Sequence, residues 1–181
     1  PIEHIDIMTD IDTRANPYDW NTVASKLTFM GGNAVINASR ELLQKMKEVA
    51  AQVLKTEPKY LAHANGEIYH VHNPERKLTY KQIALGYMYP GGTSIGGPLM
   101  ATGTYIADGL TNLHPETGQG APALVWTFGA HAVEIEVDVE TGSIEVLKVA
   151  SAFDIGQVIN EKLVYGQICG GVMQGLGSAI L

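Results

Sequence analysis

Three residues near the end of the chain could do chemistry together. Gln167, Gly171 and Gln174 stand at i, i+4 and i+7, which places them on one face of a helix. Two amides flanking a bare glycine make a notch of neutral donors and acceptors, suited to a flat heterocycle or a pyrophosphate. The alternative is a tight helix–helix contact in which both amides bond neighbouring backbone. A second set, Glu134, Glu136, Asp138 and Glu140, alternates with Val133, Ile135, Val137 and Val139. Four carboxylates could suggest acid–base or metal chemistry, but their even spacing along a strand reads as a solvated face, partly neutralised by Lys148. His63, His70 and His72 straddle a hairpin signal; a zinc pair is conceivable there, yet no third ligand stands out. Cys169, between Ile168 and Gly170, reads as buried packing rather than a nucleophile. The cluster Gly91, Gly92, Gly96 and Gly97 around Thr93-Ser94 lacks the Gly-Lys-Ser/Thr ending of a phosphate loop and supports only a flexible or ligand-facing loop.

The elements that must position these residues follow from periodicity. Ile2, Ile5 and Ile7 alternate with polar residues and predict a short strand over 2–8. The polar stretch Thr9 to Asn21 reads as a loop. Val35, Ala38, Leu42, Met46, Val49 and Val53 recur at spacings of three and four and predict a helix from Asn33 to Leu54, begun by Gly32 or Asn33 and stopped by Pro58. Asn65-Gly66 marks a two-residue hairpin turn, and Thr79 is placed to cap a short helix to Leu85. Residues 123–139 and 143–153 predict a strand pair joined by Glu140-Thr141-Gly142-Ser143. Lys162 to Leu181 predicts a helix capped by Asn160, although Gly166, Gly170, Gly171, Gly175 and Gly177 lie inside it. Each costs about 1 kcal/mol relative to alanine, so close backbone packing or the close approach of a ligand must compensate. The fold class expected is α+β: antiparallel hairpins packed with a long amphipathic helix and a glycine-rich terminal helix.

Composition narrows the function classes. The chain has 181 residues, 45% of them hydrophobic and 17% charged, enough apolar surface for a packed core. Twelve Lys and Arg against nineteen Asp and Glu give a net charge of −7, with no basic run to suit nucleic acid or anionic lipid. The single cysteine excludes an internal disulfide and fits a reducing, cytoplasmic setting. Glutamines and glycines in the last helix argue against a membrane span. An opening on Pro1 and a close inside an apolar run lead us to expect an excised piece of a longer polypeptide.

Three ordered motifs carry a resemblance. Asp154-Ile155-Gly156-xx-Ile159-Asn160, followed by Gly166-Gln167-Ile168-xx-Gly171-xx-Gln174-Gly175-Leu176-Gly177, resembles the large subunit of the molybdenum hydroxylases, the xanthine dehydrogenase, aldehyde oxidoreductase and carbon monoxide dehydrogenase family. Thr22 to Lys26 with Gly32 to Val35, and Phe128 to Asp138 ending at Thr141-Gly142, match in the same order. The resemblance implies that residues 1–181 are part of a molybdopterin-binding domain. It implies that Thr22, Val23, Ala24 and Ser25 contact the pterin or its phosphates, that Gln167 and Gln174 lie against the pterin and its pyrophosphate, and that His131 borders the site. The cofactor implied is a molybdopterin, in its cytosine dinucleotide form, whose metal takes no protein thiolate. Partners implied are iron–sulfur (2Fe–2S) and flavin (FAD) subunits, or further parts of the same chain. The activity implied is hydroxylation of an aldehyde or N-heterocycle, with the family's catalytic glutamate expected beyond Leu181. A fragment of this kind is not expected to be active alone. Alternatives are a reductive molybdenum enzyme acting on an aromatic thioester and a non-enzymatic interaction domain that has lost the cofactor. Glu161, where the family usually has proline, and Lys26, where arginine is common, leave the subfamily open.

Overall fold

The computed structural model of the chain describes residues 2–14, 16, 22 and 26–181. It divides into two compact units, Pro1–Asp108 and Gly109–Leu181, and its helices and antiparallel strands make it α+β.

In the first unit a single long helix, α1 (Lys26–Val53), supplies one wall of the core through Met46, Val49, Ala50 and Ala51. Against it lies an antiparallel sheet of β1 (Leu61–Ala64), β2 (Glu67–His70) and β3 (Asn73–Thr79), in that order. Its Leu61, Ile68 and Leu78 join Ile83 of α2 (Tyr80–Ile83) to close the core. The β1–β2 connection is the expected two-residue turn. Asn65 and Gly66 both have positive φ, 51° and 80°, the geometry that matches the twist of a hairpin. Thr79 caps α2 as expected, and Gln82 reciprocates: its side chain accepts from the Thr79 backbone while its own N–H reaches the Thr79 hydroxyl, a capping box. The glycine cluster folds into a small hairpin of β4 (Tyr87–Met88) and β5 (Ser94–Ile95). Gly86 and Gly96 are tightly packed there, since a Cβ on Gly96 would come 3.1 Å from Val49.

Two expectations are corrected. Residues 2–8 form no strand: Ile2–His4 is a short 3-10 turn and the following residues are exposed and irregular. Alternation supplies a strand face, but no described neighbour supplies a ladder for it. The helix begins at Lys26 rather than Asn33, running through Gly31 and Gly32. Two glycines weaken a helix of this length without stopping it, and the Asn33 amide donates back to the Phe29 carbonyl at 2.7 Å instead of capping a new start.

The end of α1 has its own chemistry. The Lys55 N–H bonds the Gln52 carbonyl and the Thr56 N–H bonds the Ala51 carbonyl, the two bonds of a Schellman cap. Lys55 itself sits at φ 50°, where glycine is the relaxed residue. Lys55→Gly is therefore expected to raise stability by about 0.5–1 kcal/mol, read as an upward shift of the urea or thermal midpoint.

Beyond the β5 hairpin, residues 99–105 run back along α1 as an extended strap. Leu99 N–H bonds the Ala84 carbonyl, Lys45 Nζ the Met100 carbonyl at 2.9 Å, and Asn37 Nδ2 the Thr104 carbonyl at 2.9 Å. Tyr105 meets Phe29 edge-on at 5.5 Å.

The second unit is a long hairpin and one helix. Strands β6 (Phe128–Val137) and β7 (Ile144–Asp154) pair antiparallel, with Leu147 as an extra residue opposite the Glu134–Ile135 step. Residues 123–127, expected at the start of the first strand, are irregular. The turn is pinned by Asp138. The Thr141 hydroxyl donates to its carboxylate at 2.7 Å, and with the Glu140 and Thr141 backbone N–H groups it holds that carboxyl below the ordinary value of 3.8. Helix α3 (Glu161–Ile180) follows.

Candidate functional site

The approach to α3 is built by three motif residues with local tasks. Asp154 Oδ1 accepts the Gly156 N–H at 3.0 Å, and Gly156 takes φ 70°, a turn that glycine adopts without strain. Asn160 then caps α3, accepting the Leu163 N–H at 3.0 Å, as expected.

Cross-strand register decides what the β6–β7 hairpin presents on each side. One face carries His131, Val133, Ile135 and Val137 opposite Ser151, Val149, Val146 and Ile144. The other carries Ala130, Ala132, Glu134 and Glu136 opposite Ala152, Ala150, Lys148 and Glu145. Lys148 thus stands across from Glu134 as expected, whereas Glu136 faces a like charge. Glu134 and Glu136 stay on the exposed strand, whereas Asp138 and Glu140, expected on the same strand face, lie in the turn that follows it. Among the described residues no group of three or more His, Cys, Asp or Glu side chains could hold a metal ion.

The apolar side of the hairpin and α3 enclose an open cavity of about 220 Å³, lined by His131, Val133, Val149, Gly171, Val172, Gly175 and Leu176. Within α3, Val164, Ile168, Val172 and Leu176 form the half-buried row. Gln167 and Gln174 are both exposed, seven residues apart and so on the same side of the helix as each other. A Cβ added at Gly166, Gly170, Gly171, Gly175 or Gly177 would meet open space, so among the described residues of the second unit no side chain or backbone requires glycine there. Past Lys162 the helix carries no charged side chain.

His131 is the one polar side chain lining the cavity, and its surroundings went unforeseen. Its Nδ1 lies 2.8 Å from Ser151 Oγ, and its ring meets Phe153 edge-on at 5.2 Å and 73°. Phe153 lies across Gly129, its cross-strand partner, so closely that a Cβ on Gly129 would stand 2.5 Å from the ring Cδ1. A glycine inside a strand is the one sequence signal that pointed to such an approach.

Thr22 is exposed, in the first unit, four residues before α1 begins. Val23, Ala24 and Ser25 lie outside the described residues. The other histidines have ordinary partners: Tyr80 Oη is 3.2 Å from His63 Nδ1, while His70 stacks on Tyr60 at 5.9 Å. His72 lies in the turn after β2 rather than on the strand. Cys169 is half-buried and lies beside Tyr165, whose phenol it pushes up. No helix among the described residues is long and apolar enough to cross a membrane.

The family described as "Molybdopterin cofactor-binding domain" matches residues 1–181. The nicotine 6-hydroxylase large subunit of Paenarthrobacter nicotinovorans is 26% identical over 180 residues, 99% of this chain and 21% of the relative. The aldehyde oxidoreductase of Megalodesulfovibrio gigas is 35% identical over 94 residues, 52% of this chain and 10% of the relative. Among solved structures, a Cu,Mo-CO dehydrogenase superposes with a TM-score of 0.56 at 25% identity, covering 88% of this chain and 18% of that one. The chain thus spans about a fifth of the length of relatives matched along nearly all of it.

Proposed function

This chain belongs to the molybdopterin cofactor-binding domain family, and on that premise we propose that it forms part of the cofactor-holding subunit of an oxidoreductase that hydroxylates an aldehyde or an N-heterocycle. The observation that carries the reading is the open side of α3. Gln167 and Gln174 project from it with bare glycine between them, and nothing among the described residues of the second unit accounts sterically for the glycines. That surface fits the group chemically. Neutral amides can donate to pyrophosphate oxygens and pair with a pterin edge, and no carboxylate past Glu161 repels an anion.

In this reading Gln167 and Gln174 hold the pterin and pyrophosphate, Thr22 to Ser25 add hydroxyl and backbone donors, and His131 borders the site. When bound, the molybdenum cofactor supplies the two-electron redox chemistry of the hydroxylation. The work of this chain is to bind and orient it. The dinucleotide is the cytosine form, electrons leave through 2Fe–2S and FAD groups on partner subunits or other parts of the polypeptide, and the setting is cytoplasmic.

The test is molybdenum by mass spectrometry and released pterin fluorescence on the full-length polypeptide co-produced with its partners, beside a Gln174→Leu variant. Hydrogen bonds to charged groups are worth about 1.5–3 kcal/mol. The variant should therefore retain roughly ten-fold less metal and pterin after extensive dialysis than the near-stoichiometric parent. A folded parent with neither metal nor pterin, under conditions that load a relative, would sink the reading.

A further inference from the structure

Within the second unit, three features converge on the His131 imidazole. The Ser151 hydroxyl meets Nδ1 at 2.8 Å from the facing strand. The Phe153 ring presses against the imidazole at 5.2 Å. Gly129 leaves the space in which Phe153 can lie. A neutral imidazole has one donor and one acceptor nitrogen, and the partner of one nitrogen decides the role of the other. With Nδ1 committed to Ser151, Nε2 is left as the ring's remaining hydrogen-bonding atom. Every other side chain around the cavity is aliphatic or absent.

We propose that Ser151 is a positioning residue that fixes the orientation of the His131 ring, so that Nε2 offers one directed hydrogen bond to a planar heteroaromatic group at the cavity. The inference deepens the cofactor reading and rests on it for the identity of that group, the pterin. Phe153 contributes stiffness: an edge-to-face contact resists rotation of the imidazole about its own axis, while the hydroxyl favours the ring flip state that turns Nδ1, rather than Cδ2, toward it.

Ser151→Ala and Ser151→Thr in the full polypeptide separate orientation from packing. Exchange of the imidazole C2 hydrogen for deuterium, followed by mass spectrometry, reads each histidine's ring environment in a large protein. Loss of the hydroxyl should make His131 exchange several-fold faster and leave the other histidines unchanged, and threonine, which restores a hydroxyl, should restore the parent rate. The molybdenum(V) electron paramagnetic resonance signal of the alanine variant should shift or broaden, again with recovery in the threonine variant. Unchanged His131 exchange in Ser151→Ala overturns the inference. Altered exchange with an unaltered resonance signal also overturns it, leaving a packing contact away from the cofactor. Failure of the cofactor reading itself would look different: the parent would carry no metal and give no signal, while the exchange rates would still decide whether Ser151 orients the ring.

Discussion

Gly103→Ala should release the strap along α1 and expose the N-terminal half of that helix. A Cβ at this position would run into the Ala34 carbonyl oxygen and stand 2.5 Å from the Ala38 amide nitrogen and 2.8 Å from its Cβ. Those are helix atoms with nowhere to move, so the strap must lift instead. Lifting it breaks the Asn37–Thr104 bond and the Phe29–Tyr105 edge contact, and loosens the Lys45 contact to Met100. At about 1 kcal/mol for each hydrogen bond and for the aromatic pair, the loss approaches 3 kcal/mol. Peptide-level hydrogen exchange over residues 27–38 should then lose protection by roughly 100-fold, with the core segment around Met46 to Ala51 little changed. Gly97→Ala is the control, because its Cβ meets open space at an ordinary φ. It should leave protection within about two-fold of the parent. Equal behaviour of the two variants would show that the strap does not bind through Gly103.

The strap also marks where reading the sequence stopped. Gly103 has no local signature, because the atoms that exclude a Cβ belong to a helix far earlier in the chain. Features decided within four or five residues were readable: the Asn65-Gly66 turn, the Thr79 cap and the Asn160 cap each follow from one side chain and its nearest backbone. The start of α1 was not, since Gly31-Gly32 looks like a boundary until the helix around it is known to be 28 residues long. The alternation of Ile2, Ile5 and Ile7 misled for the opposite reason, a local pattern with no described strand to pair it. At the candidate site, helical spacing alone put Gln167 and Gln174 on one side, and both are exposed. The support of His131 needed the register His131↔Ser151 and Gly129↔Phe153, which no spacing within one strand contains.

Replacing Gly170 and Gly171 together with alanine should stabilise α3 and weaken cofactor retention in the same molecule. Alanine gains about 1 kcal/mol over glycine at each helix-interior position, and neither Cβ meets an atom of the described residues of the second unit within 4 Å. Hydrogen exchange of the α3 peptide should therefore slow by roughly 30-fold, the equivalent of about 2 kcal/mol. A purely structural helix would gain from such a change, so glycines that forgo it need a cause outside the packing of the second unit. One such cause is a flat ligand lying against the bare backbone beside Gln167 and Gln174, and the other is a packed helix doing so. They part on the second measurement. If the pterin lies there, molybdenum and pterin content of the full polypeptide fall while α3 protection rises, because the methyl on Gly171 intrudes between the two amides. If a helix lies there, the added methyl groups collide with it, protection falls, and the glutamines are left as bonds in a helix–helix contact. Ala179→Gly on the same helix completes the comparison. It should cost about 1 kcal/mol or less near the helix end without altering cofactor content, which isolates the effect of position from that of helix stability.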